Sequence, residues 1–453
     1  MKALVIGGAA SGAGKTTLTL ALMAAARRRG LNVQPFKVGP DFIDPGHHAL
    51  AAGRACHNLD GWMLSPAENR AIFARHAFCA DLAVIEGVMG LYDGFSPLAE
   101  TGSTAEMAKL LSAPVLLAVN ARSQARSIAA LAQGFVGFDP DLAWAGLVAN
   151  QVGGPGHAAI LQEAMTLCPG LAFRGGLVRR PELALGERHL GLVTAEDGGL
   201  DPAGFNALAD WLEEAVDLDG LLADLPALDI AAPADPPAAP PRVRIGLAKD
   251  RAFCFYYAEN LRRLMAAGAE LAPFSPLGDP GLPPNLDGLY LGGGYPELYA
   301  EGLAANAGML ADIRAFAKKG GVVYAECGGM MYLARSISDL EGRAWPLAGV
   351  LDLDFRMLPR LKSLGYRAIA TTAASPLGPA GAAARGHEFH YSEPLAAPAG
   401  QNLYQAQGRR GPEPATFGLL QGNVLASYVH LHFGSNPELA PNLVEACARG
   451  GFL

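Results

Sequence analysis

The stretch Val5-Ile6-Gly7-Gly8-Ala9-Ala10-Ser11-Gly12-Ala13-Gly14-Lys15-Thr16-Thr17-Leu18 decides how the first half of this chain folds. A short apolar run, Ala3 to Ile6, enters a Gly/Ala-rich turn. The turn enters a run of good helix formers, Leu18 to Arg29. Strand, small-residue loop and helix in that order make a phosphate cradle. Successive backbone N–H groups of Ser11, Gly12, Ala13, Gly14, Lys15, Thr16 and Thr17 can wrap phosphates at the helix N-terminus. Lys15 is placed to reach the outer phosphates, and the Thr16 hydroxyl to meet Mg²⁺. The first glycine of the usual pattern falls on Ala9, with Gly7, Gly8 and Gly12 close by.

Around this loop the first half alternates apolar runs with helical stretches. Ala3–Ile6, Val33–Val38, Leu82–Ile85, Val115–Val119 and Ala145–Ala149 are apolar on both faces, as buried parallel strands are. The alternation predicts a doubly wound α/β sheet. The second half repeats it with Val243–Leu247, Gly288–Leu291, Val322–Ala325 and Val424–Val429, a second α/β domain. Between them the segment 226–242, PALDIAAPADPPAAPPR, reads as a semi-rigid linker. The expected division is 1–225, linker 226–242, and 243–453.

Composition narrows the class. Of 453 residues, 51% are hydrophobic and 17% charged, enough for two sizeable cores. No apolar run reaches the ~18 residues that span a bilayer. The chain opens directly into a strand, with no basic leader, so a cytoplasmic protein away from membranes is expected. Six scattered cysteines lack metal spacing and read as reduced thiols. A net charge of −8 argues against nucleic acid as a partner.

Acids gather where such a sheet binds ligands, at the carboxyl ends of its strands. Phe36 to His48 places Asp41 and Asp44 after the second strand, to meet Mg²⁺ or to position an attacked acid. Glu86 ends the strand Leu82–Ile85, the usual place for an acid that holds Mg²⁺ directly or through water. Asp93 follows on the loop, for substrate or a second ion. Asn120 and Asn150 end two further strands, where an amide can read adenine or close a turn.

In the second half, Val322–Ala325 runs through Glu326 into Cys327-Gly328-Gly329, then the helical Met330–Ala334. A sharp strand-to-helix turn displays the sulfur near a helix N-terminus, which favours the thiolate. The Gly328 N–H can stabilise an oxyanion, with a second donor from Gly292-Gly293-Gly294. On a strand Leu425–Phe433, Tyr428, His430 and His432 share one face. His430 is the better match for a base, with His432 the alternative. His387 and His390 read as structural. A nucleotide loop and a nucleophilic cysteine on one polypeptide point to two coupled half-reactions, activation of an acid by ATP and release of ammonia from glutamine.

Three segments carry a closer resemblance: Lys37-Val-Gly-Pro-Asp-Phe-Ile-Asp-Pro-Gly-His-His48, Glu86-Gly-Val-Met-Gly-Leu-Tyr-Asp-Gly94 and Ser427-Tyr-Val-His-Leu-His-Phe433. With them the chain resembles, over essentially its whole length, the cobyrinate or hydrogenobyrinate a,c-diamide synthases of cobalamin biosynthesis. The resemblance implies an N-terminal P-loop domain similar to dethiobiotin synthetase and a C-terminal class I glutamine amidotransferase-like domain. Ala10, where partitioning ATPases carry an extra lysine, agrees with the first. It implies glutamine- and ATP-dependent amidation of two acetates on a corrin polycarboxylate, with Mg²⁺, and leaves a homodimer open. Triad glutaminases carry His-x-Glu where this chain has His430-Leu431-His432, so the third member of the triad is missing from its usual place. Arg122, Arg126, Arg179 and Arg180 are candidates for the anionic substrate. Two other readings stand beside this one: a nickel-sirohydrochlorin a,c-diamide synthase, and a regulatory P-loop ATPase with a relic glutaminase domain.

Overall fold

A computed structural model describes residues 1–183, 186–188, 191–231, 240–397 and 401–452. The chain forms two compact units, Met1–Ala234 and Asp235–Leu453. Residues 232–239 of the expected linker lie outside the described residues. Before them, the chain still packs on the first unit, where Leu228 N–H donates to the Met1 carbonyl at 2.8 Å.

The first unit holds a seven-stranded, wholly parallel sheet in the order His57–Leu59, Val33–Val38, Leu82–Glu86, Lys2–Gly8, Val115–Asn120, Trp144–Val152, Phe173–Val178. All five expected strands are present, and His57–Leu59 and Phe173–Val178 are additional. Because every strand runs the same way, the loops after Gly8, Val38 and Glu86 open on one edge. Leu4, Ile6, Val84, Leu116 and Val148 pack under the helix Lys15–Arg28 through Leu18, Leu22 and Ala25. Burying each large aliphatic side chain stabilises by about 1.5–3 kcal/mol, so the loop rests on a rigid base.

The second unit carries its own seven-stranded sheet. Ala269–Phe274, Val243–Ala248, Gly288–Leu291, Val322–Glu326 and Val424–Ser427 are parallel neighbours in that order, and Gly418–Gln421 and Gln401–Asn402 extend it antiparallel. A five-stranded antiparallel sheet follows the order Gly411–Pro412, Tyr404–Gly408, Ser363–Thr371, Ala383–His390, His430–Leu431.

The expected strand Leu425–Phe433 is therefore not one element. It stops at Ser427, and His430–Leu431 pairs with Gly386–His387 in the other sheet. The Ser427 hydroxyl accepts from Val429 N–H at 3.0 Å, a side-chain turn that competes with the ladder. Tyr428 stands inside that turn, outside the strand His430–Leu431.

Candidate functional site

The first site lies at the carboxyl edge of the parallel sheet. The loop Ala9–Gly14 leads into the helix that begins at Lys15, with Gly14 in a left-handed conformation, φ 91°. A Cβ on Gly14 would lie 1.9 Å from the Asn150 amide nitrogen, so only glycine fits. Asn150 donates to the Ala13 carbonyl at 3.1 Å and so braces the loop from the end of its strand. Lys15 bends over the loop and donates to the Met89 carbonyl at 2.5 Å. Burial, then the Lys37 ammonium, lower its pKa.

Behind Lys15 is a packed cluster of charges. Glu86, fully buried at its strand end, accepts from Thr16 Oγ1 at 2.8 Å and Lys37 Nζ at 2.9 Å through one oxygen. Its other oxygen meets His48 Nε2 at 2.6 Å. Asp44 accepts from Lys37 at 2.6 Å and lies 3.4 Å from Thr16 Oγ1. Burial works against the Lys37 charge, but Glu86, Asp44 and Asp41 outweigh it and hold the ammonium protonated. For Glu86 burial is likewise outweighed, by Lys37 and His48, and its carboxyl is held well below the usual range. Burial and the neighbouring Asp41 and Glu86 push the Asp44 carboxyl up, against Lys37.

The expected aspartate loop is in part a helix, Ile43–Ala52. Asp41 caps it by accepting from the N–H groups of Ile43 and Asp44, and Asp44 stands on its first turn. Asp93 accepts from Gly90 N–H at 3.0 Å and closes its own turn. A cavity of about 440 Å³ is lined by Ser11, Gly12, Gly14, Lys15, Thr16, Thr17, Asp41, Asp44, Glu86 and Asn150, together with Lys37, Val88, Met89 and Gln151. Thr16, Asp44 and Glu86 bring hard oxygens together in this cavity, beside the Lys37 ammonium that shares the two carboxylates. That donor set fits Mg²⁺. Lys37 and His48 lie within a quoted motif, yet nothing in the string says that they share a carboxylate. Among the arginines proposed for an anionic ligand, Arg180 is engaged with Glu214 at 2.5 Å.

The second site surrounds Cys327. The residue follows Val322–Glu326 and precedes the helix Gly328–Leu333, at φ 47° and ψ −103°. A side chain at positive φ in a strand-to-helix turn is the strained geometry that displays a nucleophile. Its N–H is fixed by the Ser427 carbonyl at 2.7 Å. The expectation of a lowered thiol pKa is not met. Burial, then Glu297, push the thiol up, and the Gly328 N–H opposes them only in part. The helix is only six residues long and buried throughout, so its N-terminal field does not offset lost hydration.

His430 packs on the glycine turn after Gly288–Leu291. A Cβ on Gly293 would fall 2.3 Å from its Cε1. The next glycine faces the cysteine elbow, since a Cβ on Gly328 would lie 3.1 Å from Gly294 N. His430 Nδ1 is 3.8 Å from Glu326 Oε2, and its ring stacks with His387 at 5.4 Å between centroids. His432 has other neighbours. It packs at a tilt against Tyr257, 4.7 Å between ring centroids, and accepts from Gly434 N–H at 3.0 Å; burial, against the Glu259 charge, lowers its pKa to about 3. His390 stacks on Tyr428 and meets Glu388 at 3.1 Å. Glu388 also holds the buried Arg367 at 2.7 Å. Glu326 was not singled out beforehand; its position directly before the cysteine was the available signal.

Residues 4–193 match the CobQ/CobB/MinD/ParA nucleotide binding domain, and residues 244–438 the CobB/CobQ-like glutamine amidotransferase domain. One match falls on each site. Together they define a carbon–nitrogen ligase that draws on glutamine and ATP. Similarity to curated proteins then runs from end to end. The chain is 48% identical over 451 residues to the cobyrinate a,c-diamide synthase of Syntrophotalea carbinolica, covering 98% of each. It is 42% identical over 461 residues to that of Leptospira interrogans, again 98% of each. It is 41% identical over 483 residues to the hydrogenobyrinate a,c-diamide synthase of Streptomyces coelicolor, covering 98% of this chain and 97% of the relative. The chain belongs to the cobyrinate/hydrogenobyrinate a,c-diamide synthase family. Among the described residues no helix is long and apolar enough to cross a membrane.

Proposed function

We propose that this protein amidates the a and c acetate carboxylates of hydrogenobyrinate or cobyrinate, activating each with ATP and taking ammonia from glutamine. The observation that carries this reading is the pairing, on one chain, of a carboxylate-lined phosphate loop with a strained cysteine elbow. A carboxylate resists direct attack by ammonia because its oxygen leaves poorly. Phosphoryl transfer converts it to an acyl phosphate, and ammonia then displaces phosphate. Lys15 and the backbone N–H groups of Ser11 to Thr17 bind the transferring phosphates. Mg²⁺ bound with ATP supplies charge neutralisation there, and Thr16, Asp44 and Glu86, with Asp41 beside them, are the residues to hold it. Asn150 keeps the loop in shape, Asp41 and Asp44 on the cavity wall are the residues to meet the incoming acid, and Asp93 shapes the loop beside them.

In the second unit Cys327 Sγ attacks the glutamine amide carbon. His430 accepts the thiol proton and delivers it to the departing nitrogen, releasing ammonia and leaving a glutamyl thioester, which water hydrolyses. His432 lies among Tyr257, Glu259 and Arg263 and takes no part. The Gly328 N–H, with one from the Gly292–Gly294 turn, receives the oxyanion.

The test is incubation with ATP, Mg²⁺, glutamine and each corrin acid, followed by mass spectrometry. Two successive replacements of hydroxyl by amide are expected. Two acetates cannot occupy one activation site together, so free monoamide should rise and fall before the diamide. Asp44→Asn or Asp93→Asn should slow one step more than the other and let monoamide accumulate. A third amide, or no ATP-dependent product, overturns the reading.

A further inference from the structure

Glu326 stands one residue before Cys327, at the last position of its strand, and is 1% exposed. A buried carboxylate needs hydrogen-bond donors, and this one has three. Tyr324 OH donates to Oε1 at 2.6 Å, Tyr290 OH to Oε2 at 2.9 Å, and Leu431 N–H to Oε1 at 3.0 Å. Burial and the Glu326 charge push both phenols up, so both remain donors. The third donor is the backbone next to His430. Glu326 thus fixes the loop that carries the histidine and presents Oε2 to its Nδ1 at 3.8 Å. That is ion-pair range and longer than a hydrogen bond; such contacts in empty sites tighten when substrate binds.

We infer that Glu326 is the orienting carboxylate of this glutaminase, holding His430 Nδ1 so that Nε2 serves Cys327, in place of the glutamate that triad glutaminases carry two residues after their histidine. This rests on the glutamine-dependent reading proposed above. His432, where that glutamate would stand, is not a carboxylate, and its Nδ1 accepts from the Gly434 N–H instead. Two other groups that face His430, Gly293 and His387, supply no carboxylate either. Gly293 has no side chain. His387, from the neighbouring strand, has its pKa lowered by burial and then by His430, which favours a neutral ring. When Cys327 attacks, the thiol proton passes to Nε2 and the imidazolium lies against the Glu326 carboxylate. The proton then leaves on ammonia and the pair returns to carboxylate and neutral ring. Glu326 acts on the orientation of the ring, as the corresponding aspartate does in serine proteases.

The experiment compares the intact parent with Glu326→Gln, His430→Asn and the double variant, reading glutamate release and, separately, amidation from ammonium. Glu326→Gln should lower kcat for glutamine about 10²-fold or more, with KM near the parent value and ammonium-dependent synthesis retained; the corresponding loss in a serine protease is ~10⁴. The double variant should be no worse than His430→Asn, because a positioning residue acts through the base. Where Gln at 326 lowers the melting temperature of the second unit, Glu326→Asp enters the same cycle. A variant kcat within about threefold of the parent, a loss carried by KM alone, or losses that add would each overturn the assignment. A parent with no glutaminase activity would instead remove the glutamine-dependent reading itself.

Discussion

The two sites solve opposite electrostatic problems. The phosphate-loop site is charged at rest: Lys37, Glu86, Asp44 and Lys15 lie within a few contacts of one another, and the buried ammonium is held protonated by its carboxylates. The cysteine site keeps its nucleophile neutral at rest, with burial and nearby carboxylates pushing the thiol up. Phosphoryl transfer needs fixed charges before the ligand arrives, because the ligand brings its own. Thiol attack needs a proton to move only once glutamine is in place, and a resting thiol is protected from oxidation. One fold class serves both because each site sits at the carboxyl end of parallel strands. What differs is whether the residues there neutralise one another or keep the nucleophile protonated.

The strongest way to break this contrast is to remove the sulfur. Cys327→Ser should lower glutamine-dependent amidation by about 10³-fold or more while amidation from ammonium continues. Failure of ammonium to rescue would mean that the second unit does more than release ammonia. Lys15→Ala should lower amidation from either nitrogen source by about 10²- to 10³-fold, the worth of a single clamp on developing charge. Glutamate release in its absence should persist. A near-parent rate from ammonium would remove the phosphate-loop role.

A finer cut is steric. Gly293→Ala places a methyl 2.3 Å from His430 Cε1, so the ring must move. Displacing a catalytic group by about 1 Å can cost ~10²-fold, and the loss should appear in glutamate release alone. Stability offers a further handle. In Glu388, burial is outweighed by His390, Thr416 and Arg367, which bring the carboxyl down to about 2. Its stabilisation is fully present above the unfolded value and is lost as pH falls through the folded one. The second unit should therefore lose about 3 kcal/mol between roughly pH 4.5 and 2. Glu388→Gln, which strands a buried Arg367, should cost about 3 kcal/mol at neutral pH; calorimetry checks both. The smallest effect belongs to His432→Asn. Asn can still accept from Gly434 N–H, so kcat for glutamine should stay within about threefold. A loss as large as that of His430→Asn would move the base two residues along.

Local grammar made much of this legible. The phosphate loop and the cysteine elbow each depend on contiguous residues, and all five strands expected in the first unit formed. The aspartate loop became in part a helix because the Asp41 carboxylate caps it, turn chemistry that Pro40-Asp41 only hints at. The histidine strand broke because the Ser427 hydroxyl captures the Val429 N–H, a competition that an apolar run conceals. The antiparallel sheet stayed hidden for another reason. Ser363–Thr371 contains Gly365 and Arg367, and the buried arginine is tolerated only because Glu388 and Thr416, distant in sequence, neutralise and hydrogen-bond it. Lys37 between two carboxylates and Glu326 beneath His430 are likewise facts of three dimensions. The thiol is pushed up rather than down because the short helix at Gly328 is buried, and burial is not visible in the motif.

The contrast between a charged phosphate-loop site and a nucleophile neutral at rest is tested most directly at Cys327. The protein without glutamine is exposed to iodoacetamide over a range of pH, and alkylation of the Cys327 peptide is followed by mass spectrometry. The account predicts slow alkylation at neutral pH, with a rate that climbs through the alkaline range without a plateau. Rapid alkylation that is already level below about pH 7, the behaviour of a resting thiolate, would contradict it.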